Sequence, residues 1–544
     1  SHGTAMTHMP SLDRWTSVAL IACLALATGC FHTFWRTEAV SVNRPSAGTI
    51  GTVTIATPVK AHLVDGSTVL FRKGASIGHA AVEGSGERFP LIQTAAGSSS
   101  VSIVPFDSIV GLETFEGKQL VAQSVVVSAA ATALTAAATV GLLKALFGSC
   151  PTVYADTGTG PVLEAEGFSY AIAPLLEQRD VDPLHVRPDR DGMVRLELRN
   201  EALETHYINN IELMAVSHRT GTRVVPDQND HLVVLDGLRA LDAARDRSGR
   251  DVLPVLSSPD GQLFASAATT MTAAHAGDLE DWIDFEARDL PPGDSIAVVL
   301  RLRNSLLNTV LLYDGMLGGR DAPGWLDANL QRISTAIDLA EWYTRTMGMR
   351  AYVDGAARPA GGEPWHARLG DVGPLAFRDV AIVLPRPSRD ARSVRVRLAF
   401  VADNWRIDYA AVATSMTRPH AKTMAVSRVI VHTPDSTSTS SNDTAAVSAL
   451  READGRYLQT MPGQRMTLEF APPQPTADPG TTTTYLIVWQ GWYREWIRGR
   501  WLAEPARTTA WIPGDAAMVT ALRRWQSRQV EMEHAFYSTR VPVR

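Results

Sequence analysis

Cysteine is nearly missing from this chain: Cys23, Cys30 and Cys150 are the three in 544 residues. None forms a CxxC pair and no histidine cluster stands beside them at zinc spacing, so neither a disulfide framework nor a structural zinc site is in prospect. Lysine is almost as scarce, five residues against 46 arginines. Such a bias suits bidentate anion recognition, and a GC-rich genome produces it equally well, so by itself it selects no partner. The formal net charge of −6 supplies no concentrated basic surface for phosphates, which argues against nucleic acid.

Catalytic signatures are lacking too. There is no P-loop, HExxH or GxSxG, and no GxGxxG following a strand. Three fragments come near a motif. Gly293-Asp294-Ser295-Ile296 runs directly into AVVLRLRN and reads as a turn entering a strand. PDRDG at 188–192 spaces two carboxylates as a calcium loop does, but the other ligands do not follow, leaving a hairpin turn. EQRDVDPLH at 177–185 offers two Asp and a His to a metal, although an acidic loop closed by proline accounts for it. No catalytic residue, metal or cofactor is assigned.

What is present is length and apolar content. A chain of 544 residues exceeds one hydrophobic core and implies three or four domains. Hydrophobic residues at 45% and charged residues at 20% suit folded globular protein. TSVALIACLALATGC (16–30) is an uncharged apolar run behind Arg14, of the kind that forms a secretory leader or an anchor helix. Leu26-Ala27-Thr28-Gly29-Cys30 resembles a lipobox, with Ala27 where leucine is usual. Cys30 is then a lipidation candidate, and Phe31, Phe34 and Trp35 form a candidate aromatic collar at the membrane surface.

Residues 36–119 alternate in the β manner, with Asp65-Gly66 as a turn, and predict a small β domain. Residues 120–148 form an Ala-rich apolar helix, uncharged from Leu120 to Leu143. It suits either a helix buried against neighbouring protein or a membrane span. Residues 149–349 predict a β-sandwich-like domain with helical inserts at 237–246 and 325–348. Residues 350–420 predict a jelly-roll-like β domain around Trp405-Arg406-Ile407-Asp408. Residues 421–544 predict a further β unit and a helix from about Asp515 to Phe536. The fold class expected is mainly β and multidomain, with an N-terminal hydrophobic anchor helix.

WQGWYREWIRGRWL (489–502) gathers four of the thirteen tryptophans. Read as a strand beyond a glycine turn, Trp492, Arg494 and Trp496 share a face and an arginine stacks between indoles. Such a segment closes a core, docks a partner or carries a sugar. Trp489, Trp492, Arg494, Trp496, Arg498 and Trp501 are therefore the docking candidates. From Trp492 to Arg544 nine Arg stand against five acids, which suits an anionic membrane or an acidic partner.

GSCPTVYADTGTGPVLEAEGFSYAIAPLLEQRDVDPL, followed by LRNEALETHYINNIEL, resembles bacterial envelope lipoprotein-like proteins of undefined activity. In these a lipoprotein-like leader, a small sheet domain and an apolar helix precede an SCP-x-VY block. The likeness covers most of residues 30–310. More narrowly, the chain looks like the large membrane-extrinsic accessory subunits of photosynthetic reaction centre–light-harvesting complexes. The resemblance implies a non-enzymatic, periplasmic, membrane-anchored protein that clamps neighbouring membrane subunits, reaction-centre and light-harvesting polypeptides among them, and touches membrane lipid. Pigment binding by this chain is not implied, since no histidine-bearing transmembrane helix is present. An envelope glycan-binding surface protein is the alternative.

Overall fold

The computed structural model describes residues 33–40, 53–55, 59–63, 67–78, 80–89, 99–119, 151–156, 158, 160–169, 171, 177–202, 204–310, 346–354, 366–432, 443–471, 479–495 and 515–538. Within them the chain is mostly β, built as several sheets with few helices. No described helix is long and apolar enough to cross a membrane. The hydrophobic leader, including Cys30 and Phe31, the Ala-rich run 120–148 and most of the helical pattern at 325–348 lie outside the described residues.

The first eight strands form one antiparallel sheet. They are β1 (Thr33–Val40), β2 (Val53–Ile55), β3 (Val59–Leu63), β4 (Thr68–Phe71), β5 (Ala75–Ile77), β6 (Ala81–Phe89), β7 (Ser99–Pro105) and β8 (Ile109–Gln119). Val59, Ala61, Val69, Phe71 and Val82 fill its core, as the alternating sequence predicts. One expectation changes here. Phe34 and Trp35 lie in β1, opposite Lys118 and Gly117 of β8. The sheet therefore begins inside the span read as a leader, because TFWRTEAV finds eight consecutive partners on β8.

The remaining strands follow a nested order. β9 (Thr152–Asp156), β10 (Pro161–Glu166), β11 (Gln178–Leu184), β12 (Val194–Arg199) and β13 (Glu204–Arg219) come first. Next are β14 (Arg223–Pro226), β15 (Leu232–Ala240), β16 (Ala243–Asp246), β17 (Glu280–Ala287) and β18 (Ser295–Asn304). Then come β19 (Met349–Val353), β20 (Ala367–Leu369), β21 (Arg378–Pro385), β22 (Val394–Val401) and β23 (Trp405–Thr417). The last are β24 (Lys422–Ala425), β25 (Arg428–His432), β26 (Leu458–Thr460), β27 (Arg465–Phe470) and β28 (Thr481–Glu495).

β9–β13 and β24–β28 together make two sheets, ordered β10-β9-β12-β27-β25 and β11-β28-β13-β24, with β26 also on β13. They face each other across a core of Val153, Leu196, Leu198, Leu213, Leu468, Phe470, Ile487 and Trp489. We call this sandwich unit I. β14–β23 make the other two sheets, ordered β14-β15-β23-β18-β21 and β16-β17-β22-β19-β20. Between these lie Ile283, Phe285, Val298, Leu300, Leu398, Phe400 and Trp405; this is unit II. All of unit II is thus inserted between β13 and β24 of unit I. The cut expected at 349/350 falls inside β19, whereas 420/421 falls where the chain returns to unit I. Residues 421–495 complete the two sheets of unit I.

The sheet β14-β15-β23-β18-β21 also curls on itself. Asp227, just beyond β14, bridges to Ala381 of β21, and small side chains such as Ala297, Ala381 and Ala413 fill the tight interior with Val225, Leu235 and Val299. The outer face of unit I packs against β14 through Met214, Val216, Leu486, Val488 and Val224.

The run 237–246, expected as a helical insert, lies in β15 and β16. Pairing to β23 and β17 overrides the high helix propensity of its Leu, Ala and Arg residues, as tertiary context does where strand partners are at hand. EQRDVDPLH is likewise a strand, β11, and its Pro183 sits on a sheet edge, where a missing N–H is tolerated. The described helices are α1 (Leu253–Leu256), α2 (Ala268–His275), α3 (Leu307–Val310), α4 (Thr444–Leu450) and α5 (Asp515–Ser538). The last is the expected C-terminal helix. It seals the unit I core with Met518, Ala521, Leu522, Trp525 and Met532.

Candidate functional site

The tryptophan-rich segment is described as far as Glu495. β28 runs unbroken from Thr481 to Glu495, so Gly491 is a mid-strand residue and not a turn. YLIVW is apolar at every position because the strand is central, between β11 and β13, with both faces covered. Trp489 is fully buried. It donates from Nε1 to Asp182 Oδ2 at 2.8 Å and meets Phe168 edge-on at 5.9 Å. Trp492 is 8% exposed and lies parallel to Tyr207 at 3.9 Å. These two rings belong to the packing of unit I and are not available to a partner or a sugar. Arg494 is in β28 opposite Thr205; its side chain, and Trp496, Arg498 and Trp501, lie outside the described residues.

Beside Trp489 the structure assembles a buried ionic cluster. Arg378, 6% exposed at the start of β21, donates to Asp230 Oδ1 at 2.8 Å and to the Val181 carbonyl at 2.7 Å. Its guanidinium also lies 3.2 Å from Asp180 Oδ1 and 3.3 Å from Asp182 Oδ1. The two aspartates of β11 thus face an arginine of unit II, which explains their presence without a metal. Among the described residues no group of three or more His, Cys, Asp or Glu side chains is placed to hold one.

One residue on, Asp379 is shared by Arg301 at 3.3 Å and His185 at 3.9 Å. Glu164 accepts from the His185 backbone N–H at 2.7 Å and contacts its Nδ1 at 3.2 Å. That hydrogen bond, aided by the nearby Asp379 charge and against partial burial, raises the His185 pKa. These groups run from β10 and β11 to β18 and β21, across the junction of the two units.

Other buried polar groups are equally committed. His206 Nε2 and Glu204 Oε1 are 2.6 Å apart with no exposure. Burial pushes the histidine down to about 3, which keeps it neutral. Trp405, Arg406 and Asp408, around which a jelly-roll-like domain is expected, are buried in β23. Asp403 accepts from Arg406 Nη1 at 2.7 Å and from Trp525 Nε1 at 2.8 Å, which pins α5 to unit II. Trp525→Phe keeps an aromatic ring of smaller size and removes a donor from a buried carboxylate. It is expected to cost about 1–2 kcal/mol, read as faster amide exchange along 515–533.

Outside these clusters, one aromatic group lies on the outward side of a sheet. β17 alternates inward and outward, which sends Asp281, Ile283 and Phe285 inward and Trp282 outward. The Arg397 and Arg247 guanidinium carbons stand 4.6 and 4.9 Å from the Trp282 ring centroid. Arg397 is held by two bonds to Asp284, at 2.7 and 2.6 Å, and Tyr352 is its neighbour on β19. Arg350 donates to Glu280 at 2.7 Å. EDWIDFEA carries a legible signal in its strict alternation, but a single indole in a short strand is far less conspicuous than the four at 489–502.

No protein-family model matches the chain, and no curated protein matches it. Among solved structures, the GH31 α-xylosidase of Xanthomonas citri aligns at 10% identity and a TM-score of 0.14. The alignment covers 83% of this chain and 38% of the xylosidase. The chain therefore spans well under half of that enzyme's length, and a likeness at this level carries no argument about fold or activity.

Proposed function

We propose that this chain is a membrane-anchored accessory subunit that docks on a membrane protein complex and stabilises it, without catalysis of its own. The observation that carries the reading is the outward face of β17, β19 and β22, where Trp282 and Tyr352 are interleaved with Arg247, Arg350 and Arg397. Tryptophan, tyrosine and arginine are the side chains that dominate protein interfaces. Held by their carboxylates, these arginines lose little freedom on binding, so their stacking area is available at low entropic cost. The docking role moves from Trp489 and Trp492 to this face; Arg494, Trp496, Arg498 and Trp501 keep it as candidates. The apolar leader supports attachment to a bilayer, and the resemblance to envelope proteins supports the periplasmic side. The partners in this reading are membrane subunits, with reaction-centre and light-harvesting polypeptides the first to look for.

The test is gentle detergent extraction of native membranes carrying wild type or the double variant Trp282→Ala, Arg397→Ala. Wild type is expected to migrate with other membrane proteins. The double variant is expected to bind them roughly 30-fold or more weakly, as loss of a hot-spot pair implies. Its melting temperature should change little, because neither ring nor guanidinium enters the core. Wild type migrating alone would end the docking reading; a double variant that still co-migrates would remove this face from it.

A further inference from the structure

Glu166 ends β10 of unit I and is 2% exposed. Its Oε2 accepts two backbone N–H groups of unit II, from Leu375 at 2.7 Å and Ala376 at 3.1 Å. Among the described residues its Oε1 is buried with no hydrogen-bond partner. The loop it grips is seated from the other side by Asn304, whose Oδ1 accepts from Val372 and Gly373 at 2.7 and 3.1 Å. Gly373 lies so close that a Cβ there would stand 2.7 Å from Glu166 Oε2, and its φ of +101° already suits glycine. One buried carboxyl is therefore seated in the backbone of the partner unit, against a glycine that a larger residue could not replace without a clash.

We propose that Glu166 is a proton-operated latch between the two units, which holds the 371–376 loop against β10 when neutral and releases it when ionised. The charged groups facing it are Glu204 from β13 and Arg303 from β18, with neutral His206 beyond Glu204 and Asp371 in the gripped loop itself. Burial outweighs both N–H bonds and Arg303, and Glu204 adds to it, so the carboxyl pKa rises from 4.5 to about 7. A carboxyl whose folded pKa is raised contributes its full stability below the unfolded value. That contribution is lost as pH climbs from about 4.5 through about 7. The latch is closed in acid and opens toward alkaline pH, the reverse of an ordinary salt-bridged carboxylate.

The experiment is hydrogen–deuterium exchange of the full chain between pH 6 and 8.5, corrected for the intrinsic pH dependence, with Glu166→Gln alongside. In wild type, protection of 372–376 is expected to fall by about tenfold over that range. In Glu166→Gln, which keeps the shape and cannot ionise, it should stay flat. PH-independent protection in wild type, or the same slope in the variant, overturns the latch. Should the variant not fold, the carboxyl signal of selectively 13C-labelled glutamate in wild type decides. A buried glutamate titrating near 7 in step with the loop's exchange supports the proposal, and titration with the loop unmoved overturns it.

Discussion

Replacing Arg378 with methionine is expected to destabilise the junction of the two units by about 3–5 kcal/mol, among the largest effects of any single substitution in the described chain. The arginine stands among three carboxylates, Asp180, Asp182 and Asp230, and is itself almost wholly buried. Methionine fills similar volume but leaves those charges facing one another with their main described cation gone. The carboxylates would respond by taking up protons, so the loss should shrink as pH is lowered toward 4. Urea denaturation of Arg378→Met at pH 7.5 and at pH 5 checks both statements. An equal midpoint shift at the two pH values would show that packing, and not charge, is what Arg378 supplies. Lysine should rescue only in part, since one ammonium cannot reproduce the planar fork that reaches several acceptors.

The second large effect belongs to Trp489. Trp489→Ala should cost about 3–5 kcal/mol, from a cavity in the unit I core and from the loss of the donor to Asp182 Oδ2. Trp489→Phe separates the two, keeping much of the volume while removing the N–H. The converse substitution probes the same place from outside. A Cβ at Gly167 would come within 2.3–2.5 Å of the Trp489 ring, far inside contact distance, so Gly167→Ala should cost about 1–3 kcal/mol by overpacking. In each case the measurement is the urea midpoint of wild type against variant. If Trp489→Ala were neutral, β28 would not be the central strand described here.

The mainly β character was readable because it is local. VRVRLAFV in β22 alternates and its Val394 and Val396 point inward, and VRLELR in β12 does the same. The nesting of unit II inside unit I was not readable, because β11, β12 and β13 find partners more than 200 residues downstream and no local pattern announces a partner at that distance. The Arg378 cluster was hidden for the same reason: Asp180 and Asp182 show in sequence as an acidic run, and the cation that explains them is almost 200 positions away. Trp489 and Trp492 misled in another way. Aromatic density is equally what a surface platform and a central strand require, and only the strand order, with β28 between β11 and β13, separates the two. Trp282 shows the opposite error: a single outward indole in a short strand is less conspicuous than four in a row.

Nesting has a consequence for the order in which the chain acquires structure during synthesis. All partners of unit II lie within residues 223–417, so it can close as soon as β23 has left the ribosome. Unit I cannot. Its β11 and β13 must wait for β28, which begins at Thr481, a delay on the order of 10–50 s at ordinary elongation rates. Toward the end of that interval, once residue 417 has emerged, β13 still lacks β28 while a finished module hangs from its end. A chain released before residue 481 should carry a folded centre between unpaired flanks, and such fragments are the species a cell's holdases and proteases would be expected to meet.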